Sequence, residues 1–314
     1  MGDNRMWALV ADGAGGIAPA EVERPGIEAG QIFVSVQASS ANFGEITDVL
    51  PGAPRGYVPG WEAVGTVLEA GPATSRFQPG DLVGTLGQMG GWAEYRAVDE
   101  RLAFRLPSGS SPTSMAVIGV AGGTAIRAIR RLGSTLGVRV MVTGAASAVG
   151  VFAVQLLAMA GACVVAVDRK RERHSRHCEL GAEDVISTPA ENREPVGAVI
   201  DTVGGEVLVQ AFRQLSANGR LIAVGHTARE CEKFQLGDFE GDDGRHGRVI
   251  ETMYLLQDDP RRTLADDVEW LARRVDDGDI LTPEILVQEK SAFASTVTLK
   301  PRPNGWVKTV FKVS

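Results

Sequence analysis

The chain has 314 residues, 44% hydrophobic and 23% charged, which is ample for a buried core and allows one large or two medium domains. Its net charge of −7 argues against a general binder of nucleic-acid backbones. Three widely spaced cysteines, Cys163, Cys178 and Cys231, imply no disulfide framework, no apolar run approaches the ~18 residues of a membrane helix, and the start "MGDNRMWALVADG" lacks a basic-then-apolar leader. The expectation is a soluble cytoplasmic protein with no membrane or nucleic-acid partner.

Taken in chain order, the first ~110 residues read as β-rich. "QIFVSVQASSA" and "WEAVGTVLEAG" are strand-like runs, punctuated by Pro-Gly at Pro51-Gly52, Pro59-Gly60 and Pro79-Gly80. "RFQPGDLVGTL" predicts a tight turn feeding a buried strand. In "SMAVIGVAGGTAIRAIRRLG" the period changes to helical, with an arginine cluster on the far side. From Val138 strands and helices alternate: "VRVMVTG", "AVGVFAVQLLAMAG", "CVVAVD", "VGAVIDTVGG", "EVLVQAFRQLSANG" as a helix, then "GRLIAVG" as a strand. That alternation predicts βαβ units and a parallel sheet, an α/β class. An acidic helix, "LADDVEWLARRVDDGD", and strand-like pieces including "WVKTVFKV" close the chain.

The strongest local signal is "VMVTGAASAVGVFAVQLLAMAG". Gly144 ends a strand, and Gly150 lies six residues later in the first turn of an apolar helix. Ala145, Ala146, Ser147, Ala148 and Val149 between them are mostly small. Such a turn lets the backbone approach a pyrophosphate whose charge the helix N-terminus meets. The spacing departs from G-x-G-x-x-G, so the preceding strand and following helix carry the reading. The next strand ends in Asp168, 18 residues after Gly150, about where an acid meets the adenosine ribose.

With these pieces in place, the chain resembles the medium-chain dehydrogenase/reductase superfamily, and within it the zinc-independent quinone and enoyl reductases. "PGWEAVGTVLEAG", "FQPGDLVGTL", "GGWAEYRAV", "AGGTAIRAI", "LGAEDVI", "VIDTVGG" and "GRLIAVG" occur in the family's order. The resemblance implies a Rossmann-type doubly wound parallel sheet inserted into a GroES-like, partly open β domain. The expected divisions are 1–116 and 257–314 for the substrate domain and 117–256 for the nucleotide domain.

The superfamily's alcohol dehydrogenases bind a catalytic zinc through thiolate, imidazole and a further ligand. By alignment the first cysteine's slot holds Asn42, the histidine's slot holds Trp61, and "VIGVAGG" offers no third ligand. No metal is expected. "RHSRHC" places His174, His177 and Cys178 at metal-like helical spacing, but reads as a solvated basic helix face.

Without a metal, hydride delivery suits a quinone or the β-carbon of an α,β-unsaturated carbonyl, where charge spreads onto oxygen. The resemblance places an active-site asparagine at Asn42 and the usual enoyl-reductase tyrosine at Leu50; Tyr57 either substitutes for it or packs beneath the loop. Glu45 is either a hydrogen-bond partner or exposed, and Trp61 either lines the substrate site or packs the core. On the cofactor side the resemblance adds Thr124, Val203, Gly225 and His226, the last either contacting nicotinamide or lying satisfied in its loop. Asp168 argues for NADH, whereas Arg169, Arg171 and family habit argue for NADPH. Trp306 stands near the position of the family's C-terminal lysine, and Lys308 can shift into that role. A homodimer is implied by resemblance alone. The competing reading is a nucleotide-binding but catalytically silent scaffold or redox sensor; a non-redox use of the same fold, cyclisation or dehydration, stays open.

Overall fold

The computed structural model describes residues 4–257, 264–292 and 307–313; Trp306 lies outside them. The fold follows from a change of hydrophobic period along the chain. Alternating residues build strands β2 (Ile17–Glu23), β3 (Gln31–Ser40) and β6 (Tyr95–Asp99), and near-continuous buried runs build β1 (Arg5–Ala11), β4 (Glu62–Ala70), β5 (Leu82–Leu86) and β7 (Ala103–Arg105). Helices α1 (Pro112–Met115) and α2 (Gly119–Leu132) follow.

Six parallel strands then form around buried Val, Ile and Leu runs. In order come β8 (Arg139–Thr143), α3 (Ala148–Met159), β9 (Cys163–Val167), α4 (His174–Glu179), β10 (Asp184–Ile186), β11 (Val196–Asp201), α5 (Gly205–Arg213), β12 (Leu215–Ala223) and β13 (Val249–Thr252). The chain closes with α6 (Leu264–Asp276), β14 (Glu284–Glu289) and β15 (Val307–Lys312).

These elements cluster into two compact units. One holds the described residues up to Gly123 and from Leu264 onward; the other runs from Thr124 to Gln257. In the first, β14-β15-β3-β4-β5-β7 form one sheet with β6 added on β3, and β1 pairs β2. The C-terminal β15 lies antiparallel to β3, pairing Val310 with Ser40. Leu9, Val36, Leu50, Trp92 and Phe311 form its core. In the second unit all strands are parallel, in the order β10-β9-β8-β11-β12-β13. Chain order therefore reverses between β8 and β11, and ligands of such sheets bind at the carboxyl ends of the strands flanking that point.

Two local expectations fail. The helix read across "EVLVQAFRQLSANG" stops at Arg213, because Leu215 pairs with Val196 in the sheet and Asn218 turns the chain at φ 59°. Of the arginine cluster read on the far side of α2, Arg130 is exposed and Arg131 half-buried, but Arg127 is buried.

Candidate active site

The first unit gathers a buried polar cluster at the end of β3. Continuing the β15–β3 register by two residues sets Lys308 opposite Asn42, and the Ala41 N–H donates to the Thr309 carbonyl at 3.0 Å. The Lys308 ammonium donates to Asn42 Oδ1 and, at 3.0 Å, to Glu62 Oε1. Glu62 Oε1 also accepts from the Ser40 hydroxyl at 2.6 Å, and its Oε2 from the Val120 N–H at 2.9 Å. The side chains of Lys308 and Glu62 are only 6% and 3% exposed, so this is a desolvated ion pair with its acceptors filled.

Glu45 completes the cluster. Its Oε2 accepts both the backbone N–H and the Nδ2 of Asn42, at 2.9 and 2.8 Å, and its Oε1 accepts the Trp61 N–H at 2.6 Å. Glu45 is buried, so it takes the hydrogen-bond role of its two sequence readings. Burial pushes its carboxyl up to about 7, against the bonds from Asn42 and Trp61 and the field of Lys308. Beneath lies Arg96, whose guanidinium donates to Thr85 Oγ1 and the Met89 carbonyl, both at 2.9 Å; burial lowers it to about 10.

Because the folded pKa of Glu45 exceeds its unfolded value of 4.5, its contribution to stability is full below pH 4.5 and is lost as pH rises through about 7. The unfolding free energies of wild type and Glu45→Gln, measured in urea from pH 4.5 to 8, should therefore diverge by about 3 kcal/mol. That follows from a shift of roughly 2.5 pH units at 1.36 kcal/mol each. The wild type becomes relatively weaker at the alkaline end; a difference that stays constant across the range contradicts the assignment.

Trp61 is half-buried, with its indole set against Gly44, where an added Cβ would meet it at 2.7 Å. Tyr57 packs on the core around Leu50, and its hydroxyl donates to the Gln88 carbonyl at 2.8 Å. Leu50, in the tyrosine slot, is itself core. The bonds that join Asn42, Glu45 and Trp61 thus do not include the Tyr57 hydroxyl.

In the second unit the glycine turn fits a dinucleotide. Gly144 has φ +57°, and a Cβ there would lie 2.2 Å from Thr202 Oγ1; at Gly150 it would lie 2.4 Å from the Gly144 carbonyl. Gly144 therefore lets the turn pass against the residues that follow β11, and Gly150 lets α3 approach the turn, each more closely than a side chain permits. Ser147 caps α3 by accepting the Gly150 N–H at 3.0 Å. The N–H groups of Ala148 and Val149 open the helix with no intrahelical carbonyl to meet, as an anion site requires. Ala146 is buried beneath this turn.

Neighbouring loops close on the same edge. Thr202 Oγ1 donates to the Thr143 carbonyl at 3.0 Å, Ala228 N–H to the Val203 carbonyl at 2.8 Å, and the His226 ring lies against Gly204. Gly225 and His226 are exposed; His226 Nε2 bonds the Glu230 carbonyl at 2.7 Å, with Glu232 Oε1 at 3.3 Å. Thr124 is buried within α2. Gly144, Ser147, Val203, Gly225 and His226 thus gather at the carboxyl edge of the sheet.

Asp168 differs most from its sequence reading. Its Oδ1 accepts from Arg173 at 2.7 Å and from the Lys170 N–H at 3.0 Å, and its Oδ2 bonds His177 Nε2 at 2.9 Å. His174 Nε2 donates to the Asp168 carbonyl at 2.8 Å. His177 is fully buried, so "RHSRHC" is not a solvated helix face: α4 turns its two histidines inward onto Asp168, and Cys178 outward. Arg169 and Arg171 are exposed. Burial opposes ionisation of Asp168, yet the bonds from His177, Arg173 and Lys170 outweigh it and hold the carboxyl well below the usual carboxylate range. Arg173 and His177 escaped the sequence reading because periodicity names a helix face but not what that face meets.

Known proteins match along the same division. A family profile described as alcohol dehydrogenase GroES-like domain matches residues 28–108, and one described as zinc-binding dehydrogenase matches residues 148–244. Over 234 residues the chain is 33% identical to erythronolide synthase EryA2 of Saccharopolyspora erythraea, spanning 70% of this chain but 6% of that protein. It is 31% identical to a quinone oxidoreductase-like protein 2 homolog of Nematostella vectensis, over 64% of this chain and 59% of the relative. The chain thus spans less than two thirds of either. A solved CurK enoyl reductase shares the fold with a TM-score of 0.80 at 19% identity, covering 99% of each chain. A GroES-like half built from both chain ends, a parallel sheet in Rossmann order and a glycine turn shaped for a dinucleotide agree with these matches, and the chain belongs to the medium-chain dehydrogenase/reductase superfamily of NAD(P)(H)-binding oxidoreductases.

Proposed function

We propose that the chain is an NAD(P)H-dependent reductase that delivers hydride to a quinone or to the β-carbon of an α,β-unsaturated carbonyl, without zinc. The observation that carries this reading is the Lys308–Asn42–Glu62 cluster, a buried ammonium bonded to the residue in the first zinc-ligand slot. All four histidines and all three cysteines lie between Cys163 and His246, so the first unit, which carries the ligand slots, contains neither type. Amide, indole and ammonium groups do not fit a zinc ion. Quinone oxidoreductase-like relatives, and a mycocerosic acid synthase-like polyketide synthase that is 29% identical over 62% of this chain and 10% of its own length, support the choice of acceptor.

When bound, the nicotinamide supplies the hydride. The turn from Gly144 to Gly150 would hold the pyrophosphate, with Thr124, Val203, Gly225 and His226 toward the nicotinamide. Glu45 and Lys308 fix Asn42 from both ends, and the second N–H of its amide is the contact for the acceptor oxygen as negative charge develops there. Trp61 supplies an apolar wall. Tyr57 orients the loop through Gln88, so the proton that completes reduction comes from water or from another group. NADPH is the preferred donor, with NADH the alternative; the exposed Arg169 and Arg171 beside the end of β9 support it. Residues 1–116 and 257–314 serve the acceptor and 117–256 the nucleotide, in a cytoplasmic homodimer.

One observation favours the catalytically silent alternative: the tyrosine slot holds a core leucine, Leu50, and the Tyr57 hydroxyl is engaged by Gln88. Following NADPH and NADH oxidation across a panel of quinones and enones separates the two. Turnover of at least one acceptor class is expected; tight nucleotide binding with no turnover on any acceptor supports the silent scaffold.

A further inference from the structure

An acid at the end of the second strand of such a sheet reads the adenosine ribose by accepting both of its hydroxyls. A carboxylate has about four lone-pair positions for that task. In Asp168, three are filled from within the chain, by Arg173, the Lys170 N–H and His177. Its side chain is 3% exposed, and His177 is fully buried behind it. A fourth bond, from His174 to the Asp168 carbonyl, fixes the backbone of the same residue. All of these donors come from residues 170–177, so α4 and the turn before it close on the strand end as one piece. The negative charge of Asp168 is met by the Arg173 guanidinium, while Arg169 and Arg171 project into solvent. The strand end therefore exposes Arg169 and Arg171, with Glu172 beside them, while the Asp168 carboxylate is covered.

We propose that Arg173 and His177 are specificity-determining residues: they clamp Asp168 as an internal anchor, cancel its repulsion of a 2′-phosphate, and so select the phosphorylated adenosine of NADPH. This rests on the nucleotide-binding reading above and goes beyond it, because it assigns selectivity to a helix that does not carry the glycine turn. It also reverses the usual inference from an acid at this position. Asp168 holds the loop, and the ribose is read by other groups.

Isothermal titration with 2′,5′-ADP and 5′-AMP tests the clamp without any turnover. The wild type should bind 2′,5′-ADP at least tenfold more tightly. Asp168→Asn should leave that ratio within threefold, since the charge it removes is already cancelled. Arg173→Gln should lower the ratio at least tenfold by baring Asp168 Oδ1, and the double variant Arg173→Gln/Asp168→Asn should restore it. Without that restoration, Arg173 grips the phosphate directly and the clamp is overturned. A tenfold rise of the ratio in Asp168→Asn alone also overturns it, since the acid is then an open ribose reader. His177→Phe, which leaves Asp168 Oδ2 without its donor, should lower the ratio at least tenfold, whereas His177→Gln, which keeps a donor toward Oδ2, should behave as wild type; an unchanged ratio in folded His177→Phe contradicts the assignment. Circular dichroism and thermal unfolding of each variant keep selectivity apart from folding. Failure of the wild type to bind either nucleotide removes the cofactor reading itself and this proposal with it. Tighter binding of 5′-AMP removes the clamp while leaving nucleotide binding standing.

Discussion

Lys308→Met is expected to destabilise the protein by about 3–5 kcal/mol and to abolish acceptor reduction. Among the described residues the ammonium is the charged donor bonded to Glu62, whose other partners there are the Ser40 hydroxyl and the Val120 N–H. Removing it leaves a carboxylate buried at 3% side-chain exposure without a bonded counter-charge, Arg96 acting on it only through its field, which costs far more than the pair itself contributes. Asn42 loses its Oδ1 partner in the same step and is no longer fixed from both ends. Urea unfolding of the single variant, of Glu62→Gln and of the double variant gives the coupling. The double variant should recover at least half of the loss, because it removes the orphaned charge. Additive losses would show that the pair is not coupled, and the cluster would lose its role as a cationic centre.

The second large effect is at Gly150. An added Cβ would stand 2.4 Å from the Gly144 carbonyl and 2.6 Å from Ala145 Cα, both backbone atoms that no rotamer change can move. Gly150→Ala must lift α3 away from the turn, and overpacking of this kind costs about 1–3 kcal/mol. It should also weaken binding of 2′,5′-ADP at least tenfold, about 1.4 kcal/mol, since the helix N-terminus moves from the pyrophosphate position. Ser147→Ala is the contrast. It loses the cap on the Gly150 N–H, about 1 kcal/mol of stability, but leaves the approach of helix to turn intact, so binding should change no more than threefold. Equal binding by Gly150→Ala and wild type would contradict the cradle.

What the sequence disclosed and what it hid divide along physical lines. The turn from Gly144 to Gly150 was legible because small residues between a strand and a helix have few other uses, and the alternation after Val138 foretold the parallel sheet. The end of α5 was not legible: Leu215 is apolar at a helical position, and only its pairing with Val196 moves it into β12. Glu62 was visible only as part of "PGWEAVGTV". Its partner Lys308 lies 246 residues away, joined to it by the pairing of β15 with β3, which no local pattern reports. The histidines of "RHSRHC" misled for a related reason. Their spacing fits a surface face equally well, and only the fold brings Asp168 against them.

The Asn42 and Trp61 substitutions were plain in the sequence, whereas the cation beside Asn42 came from the structure. Together they support hydride chemistry on an acceptor that is already activated. The most direct test is the acceptor panel run with purified protein of known zinc content, with and without excess 1,10-phenanthroline, beside alcohol oxidation with NADP+. The account predicts quinone or enone reduction that the chelator leaves unchanged, at zinc well below one per chain, and no alcohol oxidation. Chelator-sensitive alcohol oxidation with one zinc per chain would contradict it.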